Sequence, residues 1–160
     1  NYQLSHNKEI IIMVIINMKG EEVEELIKKG KSIEEIFSLL DWKEFEEKVE
    51  DIFKVHGFKT IKNFRFKTTK RFEVDILAEK RELLFVVDCK QWRGGRYKAS
   101  ALKEAAKKNL ERAKEIKNLL IGGSKTVIPI IITLFDEAFY EYEGVYIVPL
   151  FKLNAFLLDF

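Results

Sequence analysis

Apolar residues along the chain recur at two spacings, and the change between them marks out the elements. Trp42, Phe45, Val49, Ile52 and Phe53 fall on one arc of a helix over Trp42–Val55, with Asp41 as N-cap and Gly57 as the stop. Glu46 lies at the edge of that arc beside Phe53, where a carboxylate can look into a site next to the core. Ala101–Leu120 predicts a long helix with Leu102, Ala105, Ala106, Leu110, Ala113 and Ile116 on one face and Gly122-Gly123 beyond its end. Lys152–Leu158 predicts a closing helix. Upstream, Lys19–Leu40 reads as two short helices broken at Gly30. Val23, Leu26 and Ile27 carry the apolar side of the first, and Ser32 with Glu35 forms a capping box for the second.

Between the helices the pattern is extended. Phe58–Lys67 and Arg71–Ala78 alternate imperfectly, are rich in aromatic and β-branched residues, and are joined by Thr68-Thr69-Lys70. Glu79–Glu82 is a polar turn, and Leu83–Val87 an unbroken apolar run of the kind found in a buried central strand. Val127–Leu134 and Val145–Val148 are further strands. The predicted class is α/β, with a mixed central sheet in the order helix, three-strand meander, crossover helix, two strands, helix. The crossover sets Val127–Leu134 parallel to Leu83–Val87. Residues 1–40 read as an N-terminal extension and 41–160 as the main domain. The run Glu9–Met18 is too short to span a bilayer, which takes about 20 apolar residues, and no small-residue cleavage site follows it. It is expected to pair as an edge strand or pack on a neighbouring molecule, and Met13 and Met18 each suit a start.

Composition adds little direction. The 28 Lys+Arg nearly cancel 26 Asp+Glu, so the net charge of +2 is a weak sign of a polyanionic partner and the location of the charges must decide. Cys89 is the single cysteine, which excludes an internal disulfide framework and suits a reducing cytoplasm. A Lys-, Glu- and Ile-rich chain with two prolines resembles thermophile composition.

The chemistry concentrates at the end of the most apolar strand. Acid-x-Lys occurs at Asp41–Lys43, Glu46–Lys48, Asp88–Lys90 and Glu115–Lys117, and three of these fall on helices or their caps as solvated faces. Asp88 and Lys90 instead close Leu83–Val87, where charge is costly unless paired, solvated in a cleft or bound to metal. A hairpin turning about Lys80-Arg81 sets Asp75 opposite Val86 and Asp88 opposite Glu73. Asp75 and Asp88 are then diagonal neighbours on one face with Lys90, roughly 7–8 Å apart by backbone position. A one-residue slip would part them. Two converging carboxylates repel, and a divalent cation relieves that repulsion; oxygen ligation without a Cys/His set suits Mg²⁺ or Mn²⁺. The main-chain carbonyl of Cys89 would add a ligand, and Lys90 would orient or help deprotonate a water and neutralise charge on phosphorus. Such parts suit phosphodiester hydrolysis.

Glu46 after Phe45 in the first core helix, Asp75 within Phe72-Glu73-Val74-Asp75-Ile76-Leu77-Ala78, and Asp88-Cys89-Lys90-Gln91-Trp92 together resemble the PD-(D/E)xK nucleases. Mrr-like restriction endonucleases and archaeal Holliday-junction resolvases are the most similar branches, over about Asp41–Phe160. The resemblance implies a restriction-endonuclease-like fold and a Mg²⁺- or Mn²⁺-dependent endonuclease acting on DNA. It implies that Glu46, Asp75 and Asp88 form the acidic metal site and that Lys90 is the catalytic lysine. Asp88 stands where many members carry Glu, and Lys70-Arg71-Phe72 stands where glycines often precede the first aspartate.

Contacts to nucleic acid are expected from Gln91, Trp92, Arg93, Arg96 and Lys98, where Gly94-Gly95 lets the backbone approach a phosphate. Lys59, Lys62, Arg65, Lys67, Lys70 and Arg71 form a denser basic stretch, which either tracks a backbone or is a solvated strand face. Lys107, Lys108 and Arg112 are interleaved with glutamates and read as solvated. Glu73 is expected in a surface salt bridge, His56 at a helix C-terminus, and the Cys89 side chain in the core. DNA is the expected partner and a homodimer the expected assembly, with the N-terminal run or Phe151–Phe160 as its surface. No membrane and no nucleotide cofactor is implied. The alternative is a non-catalytic nucleic-acid-binding or assembly module on the same fold.

Overall fold

The computed structural model of the protein describes residues 25–92 and 99–160. The expected edge strand at Glu9–Met18 and the contacts expected of Arg93, Arg96 and Lys98 lie outside the described residues. A helical turn over residues 25–28 is followed by Gly30 at φ +76 and then by α1 (Ile33–Phe37). Ser32 caps α1 reciprocally with Glu35: the Ser32 amide donates to Glu35 Oε2 at 2.8 Å, and the Glu35 amide donates to Ser32 Oγ at 3.1 Å. Asp41 and Glu44 do the same for α2 (Trp42–Val55), satisfying two otherwise orphaned N–H groups.

Among the described residues six strands form one mixed sheet: β1 (Lys59–Lys67), β2 (Arg71–Lys80), β3 (Leu83–Lys90), β4 (Thr126–Thr133), β5 (Glu141–Tyr142) and β6 (Val145–Pro149). Their order is β1-β2-β3-β4-β6-β5. The first three run as an antiparallel meander, β4 pairs parallel with β3 and β6, and β5 closes the edge antiparallel to β6. α3 (Ala99–Leu119) is the crossover between β3 and β4, and α4 (Leu150–Leu157) follows β6. No helix among the described residues is long and apolar enough to cross a membrane.

The helices cover the two faces of the sheet. α2 and α4 bury Phe45, Val49, Phe53, Leu153 and Leu157 against Ile76, Phe85, Val87 and Ile132. Ile36, Phe37 and Leu40 belong to the same cluster, so this core reaches across the division expected between residues 40 and 41. Phe85 is its centre, with the rings of Phe53, Phe58, Phe156 and Phe160 within 6.4 Å. Phe156 and Phe160, both partly buried, thus pack on Phe85 within the chain. α3 covers the other face through Ala113 and Ile116 on Val74, Leu77 and Val86, and through Leu102 and Ala106 on Ile131 and Ile147.

The β2–β3 hairpin departs from the sequence reading by two residues. Leu77 faces Val86, Ile76 faces Val87 and Lys80 faces Leu83, so the turn lies at Arg81-Glu82, with Arg81 at φ +54. Glu79 and Lys80 are polar but remain in the ladder because each has a partner. Lys125 makes an ion pair with Glu79, and the Lys80 ammonium lies 5.3 Å from the centre of the Phe58 ring. Alternation also fails along β2. Val74 and Leu77 both pack under α3 while Ile76 packs under α2, so the regular pleat is interrupted at Asp75. The opposing position in β1 is Asn63, at φ +51 and skipped in the β1–β2 ladder.

One buried polar side chain ties the crossover helix to the sheet. Asn109 Nδ2 donates to the carbonyls of Val86 (3.0 Å) and Ile130 (3.1 Å), bridging β3 and β4. Asn109→Ala is expected to lower the unfolding free energy by about 1–3 kcal/mol, measured by urea denaturation with an unchanged slope on denaturant.

Candidate active site

β3 carries its charges at the end nearest the start of α3. Asp88 follows Val87 and is almost fully buried, so its carboxylate must be compensated locally. Lys90, two residues on and on the same face, brings Nζ to 3.1 Å from both Asp88 oxygens, with hydrogen-bond geometry only to Oδ1. Asp88 Oδ2 is buried and has no hydrogen-bond partner. A second cation approaches from α3: Arg112 Nη1 lies 3.9 Å from Asp88 Oδ1, and the Arg112 side chain is only 23% exposed. The charge pattern of the helix puts Arg112 on the solvated side, and the structure corrects this. Its position next to Ala113, and three residues after Asn109, turns it inward, and that spacing at the margin of the buried stripe is the signal the sequence offers.

Continuing the β2–β3 register one step beyond Ile76 and Val87 sets Asp75 opposite Asp88 itself, not opposite Val86. The displacement from the expected register is an even number of residues, so the two acids still meet. Asp75 Oδ2 accepts the Cys89 amide at 2.8 Å, which pins this carboxylate against the backbone between Asp88 and Lys90. Burial pushes the Asp75 carboxyl up to about 7; the Cys89 amide opposes the rise, and repulsion from Asp88 and Glu46 adds to it. Glu46 on α2 is also raised, by burial first and further by Glu73 and Asp88, with Lys62 opposing. Glu46, Asp75 and Asp88 therefore share one electrostatic environment. Among the described residues no three His, Cys, Asp or Glu side chains converge into a ready-made metal cage.

The remaining candidates lie apart from this centre. The Cys89 side chain is fully buried on the α2 face, where burial raises its thiol far above the ordinary value. Gln91 Nε2 donates to the Leu40 carbonyl, so its side chain fastens the end of β3 to the chain before α2. Trp92 is half-buried and packs with the Leu102, Ala106 and Ile147 cluster. Glu73 pairs with Arg65 at 2.9 Å on the surface, and His56, at the C-cap of α2, has its Nε2 2.7 Å from Asn154 Oδ1.

The model of the Mrr_cat family, described as restriction endonuclease, matches residues 37–120, the stretch that holds Glu46, Asp75, Asp88 and Lys90. The chain belongs to this restriction endonuclease family. A protein of Archaeoglobus fulgidus described as uncharacterized is 35% identical to this family member over 119 residues, 74% of the chain and 90% of the relative. A crystal structure of a protein of unknown function is similar at TM-score 0.50 and 20% identity, over 65% of the chain. The chain spans 55% of that protein's length, and the likeness concerns the fold alone. The small subunit of a heterodimeric restriction endonuclease aligns at TM-score 0.48 and 14% identity, over 72% of the chain and 67% of the subunit. The mixed sheet with helices on both faces is thus a restriction-endonuclease-like fold.

A carboxyl whose folded value lies above its unfolded one binds its proton more tightly in the native state. Asp75 therefore costs stability progressively as pH rises from about 4 toward 7, and the full cost is present above that. In chelator-treated protein, Asp75→Asn should raise the midpoint of thermal unfolding more at pH 8 than at pH 5. An equal change at both values would contradict the assignment.

Proposed function

We propose that this family member is a divalent-metal-dependent endonuclease that hydrolyses phosphodiester bonds in DNA, with Asp75, Asp88 and Lys90 at its centre. The observation that carries the reading is the pairing of half-buried Asp75 with buried Asp88, with a lysine 3.1 Å from Asp88 and an Asp88 oxygen left without a hydrogen bond. A carboxylate pair with surplus acceptor capacity and mutual repulsion fits a hard cation such as Mg²⁺ or Mn²⁺. Asp75 and Asp88 would hold it, with the Cys89 carbonyl beside them and Glu46 as the third acid in reach electrostatically. When bound, the ion supplies positive charge that acidifies water and screens the phosphate oxygens.

The chain's own residues have separate tasks. The Cys89 amide keeps the Asp75 carboxylate aimed across the strands. Lys90 holds a proton next to Asp88 and can either orient the attacking water or offset charge growing on the phosphorus oxygens. Arg112 adds a second positive charge at Asp88, which offsets part of the cost of enclosing that carboxylate. Gln91 and Trp92, held by Leu40 and by the α3 cluster, fix the start of the segment that follows this strand end, and we assign its Arg93, Arg96 and Lys98 to contacts with the DNA. Severing both strands of a duplex calls for two such centres, which a homodimer supplies.

Cleavage of linear, supercoiled and four-way-junction DNA under Mg²⁺ or Mn²⁺ titration tests the reading. Cutting should require the metal, and Asp88→Ala and Lys90→Ala should each reduce it by at least about a hundredfold while DNA binding is kept. Undiminished cutting in both variants would remove these residues from the mechanism. Metal-independent binding without cutting would leave a non-catalytic nucleic-acid-binding module.

A further inference from the structure

The β1–β2 hairpin runs past the point where β2 leaves β3. Pairing between β2 and β3 ends at Ile76 and Val87, whereas β1 and β2 remain paired out to Lys67 and Arg71. From Asp75 to Arg71 this arm extends about 13 Å at the usual strand rise, beyond the carboxylate pair. One of its faces is committed to the protein. Phe64, Phe66 and Val74 pack toward α3, the Phe66 and Phe72 rings stack with centroids 5.0 Å apart, and Lys70 anchors the tip to Glu111 of α3 at 2.7 Å.

The opposite face is exposed and basic. Arg65, Lys67 and Arg71 stand on it with Glu73, lining a groove of about 710 Å³ whose remaining wall is Phe66 and Phe72. Glu73 is paired with Arg65, so the local acid is already neutralised. Lys67 and Arg71 face each other across the strands and make no ion pair with any described residue. Like charges directly opposed in a ladder cost stability, and an external anion would offset that cost. Lys62, exposed on β1 and paired with Ile76 in the ladder, continues the positive track inward. A line of cations thus leads away from the acid centre along the arm.

We propose that the outer face of this arm, through Lys67 and Arg71 with Arg65 beside them, binds the phosphodiester backbone of duplex DNA flanking the bond to be cut. The inference rests on the endonuclease reading for the identity of the polyanion. A backbone ligand fits because the arm presents point charges of one sign along its exposed face, and the Phe66 and Phe72 rings that wall the groove are already stacked on each other. Duplex fits the length, since about 13 Å of arm matches roughly four base-pair steps at 3.4 Å per step. The contact is independent of sequence and acts by releasing counterions.

The test is equilibrium binding of the full chain to a 30-base-pair duplex (an arbitrary length of about three turns) in chelator, across a KCl series. The double variant Lys67→Gln/Arg71→Gln should reduce the slope of log affinity against log salt by about 1.8, from about 0.9 for each phosphate no longer neutralised. Lys114→Gln/Lys117→Gln, an exposed pair on α3 with the same charge change, should leave the slope unaltered. An unchanged slope in the arm variant, or a change seen with single-stranded but not duplex DNA, overturns the proposal. Metal-dependent cleavage by the wild-type chain is scored separately. A reduced slope without any cleavage would retain the arm and discard the endonuclease reading; cleavage with an unchanged slope would do the reverse.

Discussion

The Cys89 amide, bonded at 2.8 Å to the Asp75 carboxylate, couples the site to the pairing of β2 with β3. A carboxylate half-enclosed by protein and faced by two others would turn toward solvent if nothing held it. Here a backbone donor of the neighbouring strand holds it, and that donor is available only in a register that sets Asp75 against Asp88. Side chains alternate with period two, so a shift of one residue in the hairpin would carry Asp75 to the far face and leave Lys90 with Asp88 alone. The register is defended from outside the site. Leu77 and Val86 are committed to the α3 face, Ile76 and Val87 to the α2 face, and no one-residue slip satisfies both.

The interruption at Asp75 and Asn63 is where the sheet stops being only a scaffold. Inside it, β2 is a central strand buried on both faces; outside it, β2 belongs to a two-stranded arm with one dry face and one charged face. The change coincides with the loss of β3 as a partner, so the acids sit at the fork between the two regimes. Regular pleat would have placed Val74 and Ile76 on one side. The break lets Val74 reach α3 while Ile76 stays beneath α2, and Asp75 lies between them at the opening.

Such a centre is expensive to fold around. Asp75 and Glu46 both have raised carboxyl values chiefly through burial, Asp88 is almost wholly enclosed, and its Oδ2 has no hydrogen-bond donor. The surrounding structure offsets this with an aromatic cluster around Phe85 directly behind β3 and with Asn109 clamping β3 to β4. Lys90 and Arg112 limit the penalty at Asp88. The cost of these enclosed acids is thus local, set within otherwise consistent packing.

Local pattern in the chain determined the strands of the meander, the crossover helix and the caps at Ser32, Asp41 and Gly57, because each depends on neighbours within a few residues, and the strand–helix–strand order then implied the parallel β3–β4 pair. It also singled out Asp88–Lys90, since only that acid-x-Lys closes an apolar run. Tertiary structure alone decided the two-residue register shift, which depends on Lys125 and Phe58 holding Glu79 and Lys80 in the ladder. It alone turned Arg112 toward Asp88 and placed Phe156 and Phe160 on Phe85. These outcomes belong to contacts between residues far apart in the chain, whose partners no local pattern can specify.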